Sequence, residues 1–256
     1  MEEWQRSPSM VGAASRLVRS GFDNVWEYRR SMCRARKAYD VKQVRHLGET
    51  TIAYYDRFAS AFWGGTRHHD VSQNYAALLD AIEGDPPHRI LDLGCGPGRD
   101  LNYFRSLGHE AVGLDGSRQF VAMARAHSGC EVLHQDFLDM RLPESRFDGI
   151  FANASLFHVP SQELPRVLLQ LCKTLKPRGV LFSSNPRGNN EEGWSDGRYA
   201  CFFDLDTWRD YVTAAGFAEL DHYYRPPGLP RERQPWLLAR KTAKCRRRCC
   251  CCRISA

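Results

Sequence analysis

The sequence predicts an α/β fold, an open and mostly parallel sheet with helices on both faces, preceded by a helical segment. Three observations predict it. From Arg89 onward, short apolar runs ("RILDL", "EAVGLD", "CEVLHQD", "FDGIFAN", "GVLFSSN") each end in a small or polar turn. Between them lie stretches of helical periodicity: "RDLNYFRSLG", "SRQFVAMARAHSG" and "QELPRVLLQLCKTLKPRG". The length of 256 residues suits one such domain with a full core plus an appended segment.

In chain order, the first dozen residues are small and polar and predict little structure. Asn24 to Leu47 reads as a helix, with Val25, Tyr28, Met32, Ala35 and Tyr39 at helical spacing, and Gly48 is expected to end it. "TTIAYYDRFASAF" predicts a second helix closed by Gly64 and Gly65, and Asp70 is the expected N-cap of a third, "VSQNYAALLDAI". After the alternating region, "TWRDYVTAAG" predicts a helix capped near Asp206. The runs "FAELDHYYR" and "PWLLARK", joined by a Pro-rich link without a helix, predict an antiparallel pair. The expected organisation is residues 1–48 as an extension, 49–242 as the α/β domain and 243–256 as a basic Cys-rich tail.

The formal charge is +6, but seven of the 36 Lys and Arg lie between Arg240 and Ala256, where there is no acid. The remainder carries 29 basic against 30 acidic residues, so the body has no field for gripping nucleic acid. Five of the ten cysteines sit in "CRRRCCCC" (Cys245 and Cys249 to Cys252). The others, Cys33, Cys95, Cys130, Cys172 and Cys201, have no paired metal spacing and read as small core residues of a cytoplasmic, reduced protein. The N-terminus has no signal-peptide pattern, and no apolar run approaches the ~20 residues of a membrane helix. The basic tail reads as a disordered end, with palmitoylation as the alternative. His68, His69 and Asp70 do not predict a metal site, because adjacent His side chains diverge.

The chemistry-bearing motif is "ILDLGCGPGRD". Gly94, Gly96 and Gly98 fall in the turn after the first strand, where a Cβ would block a ligand's approach to the backbone. The spacing is G-x-G-x-G rather than the dinucleotide G-x-G-x-x-G, and Pro97 removes an N–H that a phosphate would want. Asp92 would repel a pyrophosphate but can orient an ammonium group. Asp115, at the end of the second strand, suits a ribose diol, and Asp136 after the third suits an adenine amino group. A ligand with adenine, ribose and an amino-acid group but no phosphate is S-adenosylmethionine. The expected cofactor contacts are Tyr55, Asp92, Gly94, Cys95, Gly96, Gly98, Asp115, Gly116, Asp136, Phe137 and Asn153.

At these residues the chain resembles the class I S-adenosylmethionine-dependent methyltransferases, over about Tyr54 to Arg240. The resemblance implies a Rossmann-like, seven-stranded sheet with one antiparallel strand, and an N-terminal helical lid. The blocks "YDRFASAFWGGTRHHDVSQNY", "FANASLFHVP", "FSSNPRGNNEEGW" and "HYYRPPGLPRERQPW" resemble more narrowly the C-terminal methyltransferase domain of the ovothiol-biosynthesis protein OvoA. That resemblance implies N-methylation of the imidazole of mercaptohistidine, and a functional pairing with a sulfoxide synthase domain. "ASRLVRSGFDNVWEYRR" is similar to the junction between those two domains, or is an ordinary helical lid.

Within this reading Asn153, after the fourth strand, faces the methyl and can hydrogen-bond the acceptor. His158 is the candidate base or orienting group, or a structural His. Asn185 and Arg187, after the fifth strand, are expected to hold the acceptor's carboxylate, with Arg suited by its fork. Trp63, Tyr224 and Arg225 are expected to wall the acceptor site, and Tyr54, Tyr55 and Phe62 to share the lid with Trp63. The alternatives are a methyltransferase for another small metabolite, a non-catalytic partner that binds S-adenosylmethionine, and, more remotely, a dehydrogenase.

Overall fold

The structure is a computed structural model that describes residues 38–225 and the strand 236–242. Helix α1 (Val41–Thr66) starts at Asp40, whose side chain accepts from Gln43 N while the Gln43 side chain accepts from Asp40 N. The expected stop at Gly48 is absent: one helix runs on to Thr66, bent at Phe58 (φ −108°, ψ 17°). Gly48 is there for a close approach. A Cβ would lie 3.2 Å from Leu138 Cδ1 and 3.3 Å from Asp136 Oδ2. Gly64 and Gly65 lie inside the last turn.

The short helix α2 (Ser72–Leu79) is capped one position later than expected, at Val71, while Asp70 Oδ1 accepts from Ser72 N. Next follow β1 (Arg89–Leu93), α3 (Arg99–Ser106), β2 (Glu110–Asp115), α4 (Arg118–Ser128), β3 (Glu131–His134) and β4 (Phe147–Asn153). Then come α5 (Leu164–Thr174) and β5 (Leu175–Pro186). A hairpin that the sequence reading missed, β6 (Glu191–Ser195) and β7 (Arg198–Phe202), precedes α6 (Leu205–Ala214), β8 (Ala218–Arg225) and β9 (Trp236–Thr242). Its turn is Asp196-Gly197, both at positive φ (49° and 80°), which is the Asp-Gly signature of a two-residue hairpin. The cap of α6 is Asp204, which accepts from Thr207 N, rather than Asp206.

The main sheet has the order β3-β2-β1-β4-β5-β9-β8. β1 to β5 are parallel, and β9 is antiparallel to both β5 and β8. The order reverses between β1 and β4, which opens a crevice at their carboxyl ends. The strands of the centre are buried throughout (Ile90, Leu91, Leu93, Ile150, Phe151, Leu181, Phe182), as expected where helices cover both faces. Phe151 and Phe182 stack at 5.0 Å between centroids, and Tyr75 brings α2 against Phe151 at 5.5 Å. Among the described residues no helix is long and apolar enough to cross a membrane.

Gly98 fixes how α3 meets α4. It sits at φ 90°, and a Cβ there would lie 2.8 Å from Ala124 Cα, a backbone atom that cannot step aside. Gly98→Ala is expected to destabilise the fold by about 2–4 kcal/mol, from left-handed strain plus overpacking. Denaturant unfolding would read this as a lowered midpoint with an unchanged slope.

Candidate active site

The crevice is a cavity of about 720 Å³, in the size range of small-molecule sites. One face of α1 forms its wall: Gly48, Thr51, Ile52, Tyr55, Phe62 and Trp63 recur at three- and four-residue spacing. Asp56, one turn beyond Ile52, ties the helix down by accepting from Ser117 Oγ (2.6 Å) and Gln119 N (3.0 Å).

Opposite lies the glycine loop. Gly94 N and Cys95 N donate to Leu114 O (2.8 and 3.2 Å), which holds the loop over β2. The three glycines serve different ends. A Cβ on Gly94 would collide with Ser155 Cβ at 2.5 Å, and Gly98 packs on α4. Gly96 (φ 50°) would meet nothing nearer than Phe62 at 3.8 Å, so it leaves open space on the cavity side.

Asp115 crosses under the loop, accepting from Gly96 N (2.9 Å) and Ser117 N (2.8 Å), one bond to each oxygen. Each carboxylate oxygen retains acceptor capacity for a hydroxyl. Burial pushes the Asp115 carboxyl up to about 6, helped by Asp56 and opposed by the two N–H bonds. Asp136 begins a single 3₁₀ turn (Phe137–Asp139) by accepting from Leu138 N at 2.8 Å, and burial raises it too. Both acids line the cavity, with Gly116 and Phe137 beside them.

Asp92 stands behind the loop rather than on the wall. It is buried, its Oδ2 has no hydrogen-bond partner, and burial with the Asp100 charge drives its carboxyl well above the usual range. The acid on the wall is Asp100, absent from the sequence reading although it closes the motif "GPGRD" in the first turn of α3. It accepts from Tyr75 Oη (2.5 Å) and holds Arg99 through both oxygens (2.6 and 3.0 Å). Arg99 is thereby neutralised, and the loop keeps no free cation for a pyrophosphate.

At the far end, Asn153 Oδ1 accepts from Asn74 Nδ2 (2.9 Å) and Ser184 Oγ (2.8 Å), which leaves the amide N–H₂ as its spare donor. Asn74 in turn accepts from Tyr223 Oη (3.1 Å) and Arg225 (3.3 Å). Ala154, at φ 56°, turns the chain so that buried Ser155 meets Gly94. The Ser155 hydroxyl lines the cavity without a partner.

His158 is fixed on both nitrogens. Its Nδ1 lies 2.7 Å from the Tyr199 carbonyl, which can only accept, so Nδ1 carries the hydrogen. Nε2, 2.7 Å from Tyr55 Oη, is then the acceptor of that phenol's O–H. Burial holds the imidazole down to about 4, Arg198's charge pushing the same way and the Tyr199 bond opposing. The ring is therefore neutral at working pH and its lone pair is in use, which suits positioning Tyr55 better than taking a proton. Because the folded value is depressed, the stability it contributes is present above about 6.5, the ordinary His value, and is lost as pH falls toward about 4. NMR of the His158 ring is expected to show no titration between pH 5.5 and 8, and a midpoint near 6.5 would contradict this geometry.

Of the expected site residues, the cavity unites Tyr55, Trp63, Gly94, Cys95, Gly96, Asp115, Gly116, Asp136, Phe137, Asn153, His158 and Arg225. It does not include Asp92, Gly98, Asn185, Arg187 or Tyr224. Asn185 is buried within β5, and the Arg187 guanidinium lies 5.2 Å over the Tyr224 ring, outside the cavity wall. The sequence reading missed Asn74, Arg99, Asp100, Ser155 and Arg198. Asn74 and Asp100 carry a readable sign, a polar residue in the first turn of a helix that faces the strand ends.

The donor set fits an adenosyl ligand: acids for a diol and an amine, an open Gly96, and, among the described residues, no free cation beside the loop. Residues 90–179 match the family described as "Methyltransferase domain". Over these residues the chain carries a methyltransferase-domain match, and its described fold is shared with solved S-adenosylmethionine-dependent methyltransferases. S-adenosylmethionine is the cofactor of this domain.

Two curated relatives give the scale of likeness. The methyltransferase domain is 30% identical over 128 residues to 24-methylenesterol C-methyltransferase 2 of Oryza sativa subsp. japonica, covering 46% of this chain and 35% of that protein. It is 32% identical over 162 residues to ubiquinone biosynthesis O-methyltransferase of Alkalilimnicola ehrlichii, 56% of this chain and 63% of that one. The chain thus spans about a third to two thirds of these relatives. A solved structure, 1,6-didemethyltoxoflavin-N1-methyltransferase of Burkholderia thailandensis, has S-adenosylhomocysteine and 1,6-didemethyltoxoflavin bound. It shares the fold at TM-score 0.60 and 20% identity, over 82% of this chain and 94% of that one.

Proposed function

We propose that the protein transfers a methyl group from S-adenosylmethionine to a small molecule, and that the acceptor is the imidazole of a mercaptohistidine-type compound. The observation that carries the reading is the division of one cavity. Asp115 and Asp136 serve the adenosyl end, and Asn153, supported by Asn74 and Ser184, serves the other. The likeness of four sequence blocks to the OvoA methyltransferase domain supports the acceptor class, and a sulfoxide synthase would supply the sulfoxide precursor of that acceptor.

S-adenosylmethionine supplies an electrophilic methyl on a sulfonium, and displacement from it is in line. The protein's part is alignment and exclusion of water, which can lower the barrier by several kcal/mol. Asn153 orients the ring by donating from its amide, and Phe157, Tyr55 and the α1 aromatics keep the site dry. An ionised thiol leaves a ring nitrogen with a free lone pair, so no strong protein base is needed. This agrees with the low basicity of His158.

The experiment is incubation of purified protein with S-adenosylmethionine and either mercaptohistidine or histidine, read by mass spectrometry. A product one methyl heavier from the thiol compound alone is the expected result. Methylation of histidine equally well, or of neither, removes the thiol-imidazole reading.

A further inference from the structure

Three arginines among the described residues line the cavity, and their partners differ. Arg99 is bound to Asp100 and to Thr66 O (3.0 Å). Arg225 donates to Asn74 Oδ1 (3.3 Å) and Asp70 O (2.7 Å). Arg198 is poorly satisfied: its Nε is buried with no hydrogen-bond partner. Its Nη1 reaches Tyr55 Oη at 3.4 Å, and its Nη2 comes only within 3.8 Å of Asp196, a carboxylate that is 83% exposed.

The surroundings suit an incoming anion. The Arg198 guanidinium lies 5.0 Å over the Tyr54 ring and 5.8 Å over that of Tyr55, two cation–π contacts that hold it at the cavity wall. The Asp196-Gly197 turn sets it there, with Gly197 so close to Tyr54 that a Cβ would fall 3.0 Å from the ring. With Phe157 and His158, Arg198 also borders a recess of about 190 Å³, whose other walls include Pro186, Ser195 and Phe202. A guanidinium whose Nη groups make only long polar contacts (3.4 and 3.8 Å) matches a carboxylate, which accepts two parallel bonds.

We propose that Arg198, presented by the β6–β7 hairpin, is the anion-binding residue of the acceptor site, and that the acceptor is a small heteroaromatic carboxylic acid whose carboxylate docks on its two Nη groups. This gives Arg198 the role the sequence reading gave to Asn185 and Arg187. It rests on the reading of the cavity as a methyl-acceptor site. The cofactor also carries a carboxylate, so the test separates the two sources.

The experiment compares wild type, Arg198→Gln and Arg198→Lys for mercaptohistidine and its decarboxylated amine, alongside S-adenosylhomocysteine binding by calorimetry. Arg198→Gln is expected to raise KM for the acid about ten- to hundredfold, the loss of a charged pair. It should leave the amine and the S-adenosylhomocysteine affinity within about threefold. Arg198→Lys, which keeps the charge but not the fork, is expected to recover part of the loss. A parallel fall in S-adenosylhomocysteine affinity would assign Arg198 to the cofactor and overturn the proposal, as would equal effects on acid and amine. If the wild type methylates neither compound, imidazole-acetate and histamine are titrated into the S-adenosylhomocysteine complex. A preference for the acid that Arg198→Gln removes upholds the proposal without the mercaptohistidine reading, and no preference overturns it.

Discussion

Asp115→Ala is expected to weaken S-adenosylmethionine binding at least a hundredfold. The carboxylate offers one acceptor to each hydroxyl of a ribose, and hydrogen bonds to a charged group contribute roughly 1.5–3 kcal/mol each. The loss has a second source, because Gly96 N and Ser117 N, 2.9 and 2.8 Å away, are left without their acceptor and the loop loosens. Asp115→Asn separates the two, since it keeps an acceptor but not the charge. The pH dependence gives an independent check. The Asp115 carboxyl lies at about 6, above its ordinary value, so the free protein takes up a proton below that pH. Cofactor hydroxyls need the ionised form, so affinity is expected to be constant above about pH 7 and to fall by up to about tenfold per pH unit below 6. In Asp115→Asn that slope should be absent. Calorimetry at a series of pH values reads both effects, and a wild-type affinity flat from pH 5 to 8 would contradict them.

Asn153→Ala is expected to lower kcat about a hundredfold or more while changing cofactor affinity little, as for loss of a positioned polar group at the reacting centre. Asn153→Asp is the telling variant. It retains the oxygen that accepts from Asn74 (2.9 Å) and Ser184 (2.8 Å), and so retains the local structure. It lacks the N–H₂ donor and adds a charge beside the acceptor. If Asn153 acts by donating to the acceptor, Asp fails as badly as Ala. If its role is only to hold Asn74 and Ser184, Asp restores turnover. Steady-state kinetics on the three proteins decides, with a melting temperature for each as a check on folding.

The sheet was legible because a parallel sheet covered on both faces leaves a plain trace: apolar runs, then turns, then helical periodicity. Part of the cavity wall was legible for the same reason, since Gly94, Gly96, Asp115 and Asp136 lie at or shortly after strand ends and all line the cavity. What failed depended on tertiary approach. Gly48 looked like a helix stop, yet its lack of a side chain serves the contact with Leu138 and Asp136, partners far away in sequence. Asn185 and Arg187 were assigned by their position after β5, but a strand end does not reveal which way a side chain faces. Arg198 was missed with its hairpin, although Asp196-Gly197 is a strong local signal. His158 was found, but its role stayed open between base, orienting group and structural His. A single sequence does not reveal that the Tyr199 carbonyl and Tyr55 hydroxyl occupy both its nitrogens.

The same cavity could bind S-adenosylmethionine without using it, and one measurement addresses that directly. In a single turnover, protein in excess is loaded with S-adenosylmethionine carrying a deuterium-labelled methyl, and mercaptohistidine is added. The account predicts that the label leaves the sulfonium and is found on a ring nitrogen of the thiol-imidazole, with S-adenosylhomocysteine formed in equal amount. Label that remains on S-adenosylmethionine, in a complex shown by calorimetry to hold the acceptor as well, would contradict it.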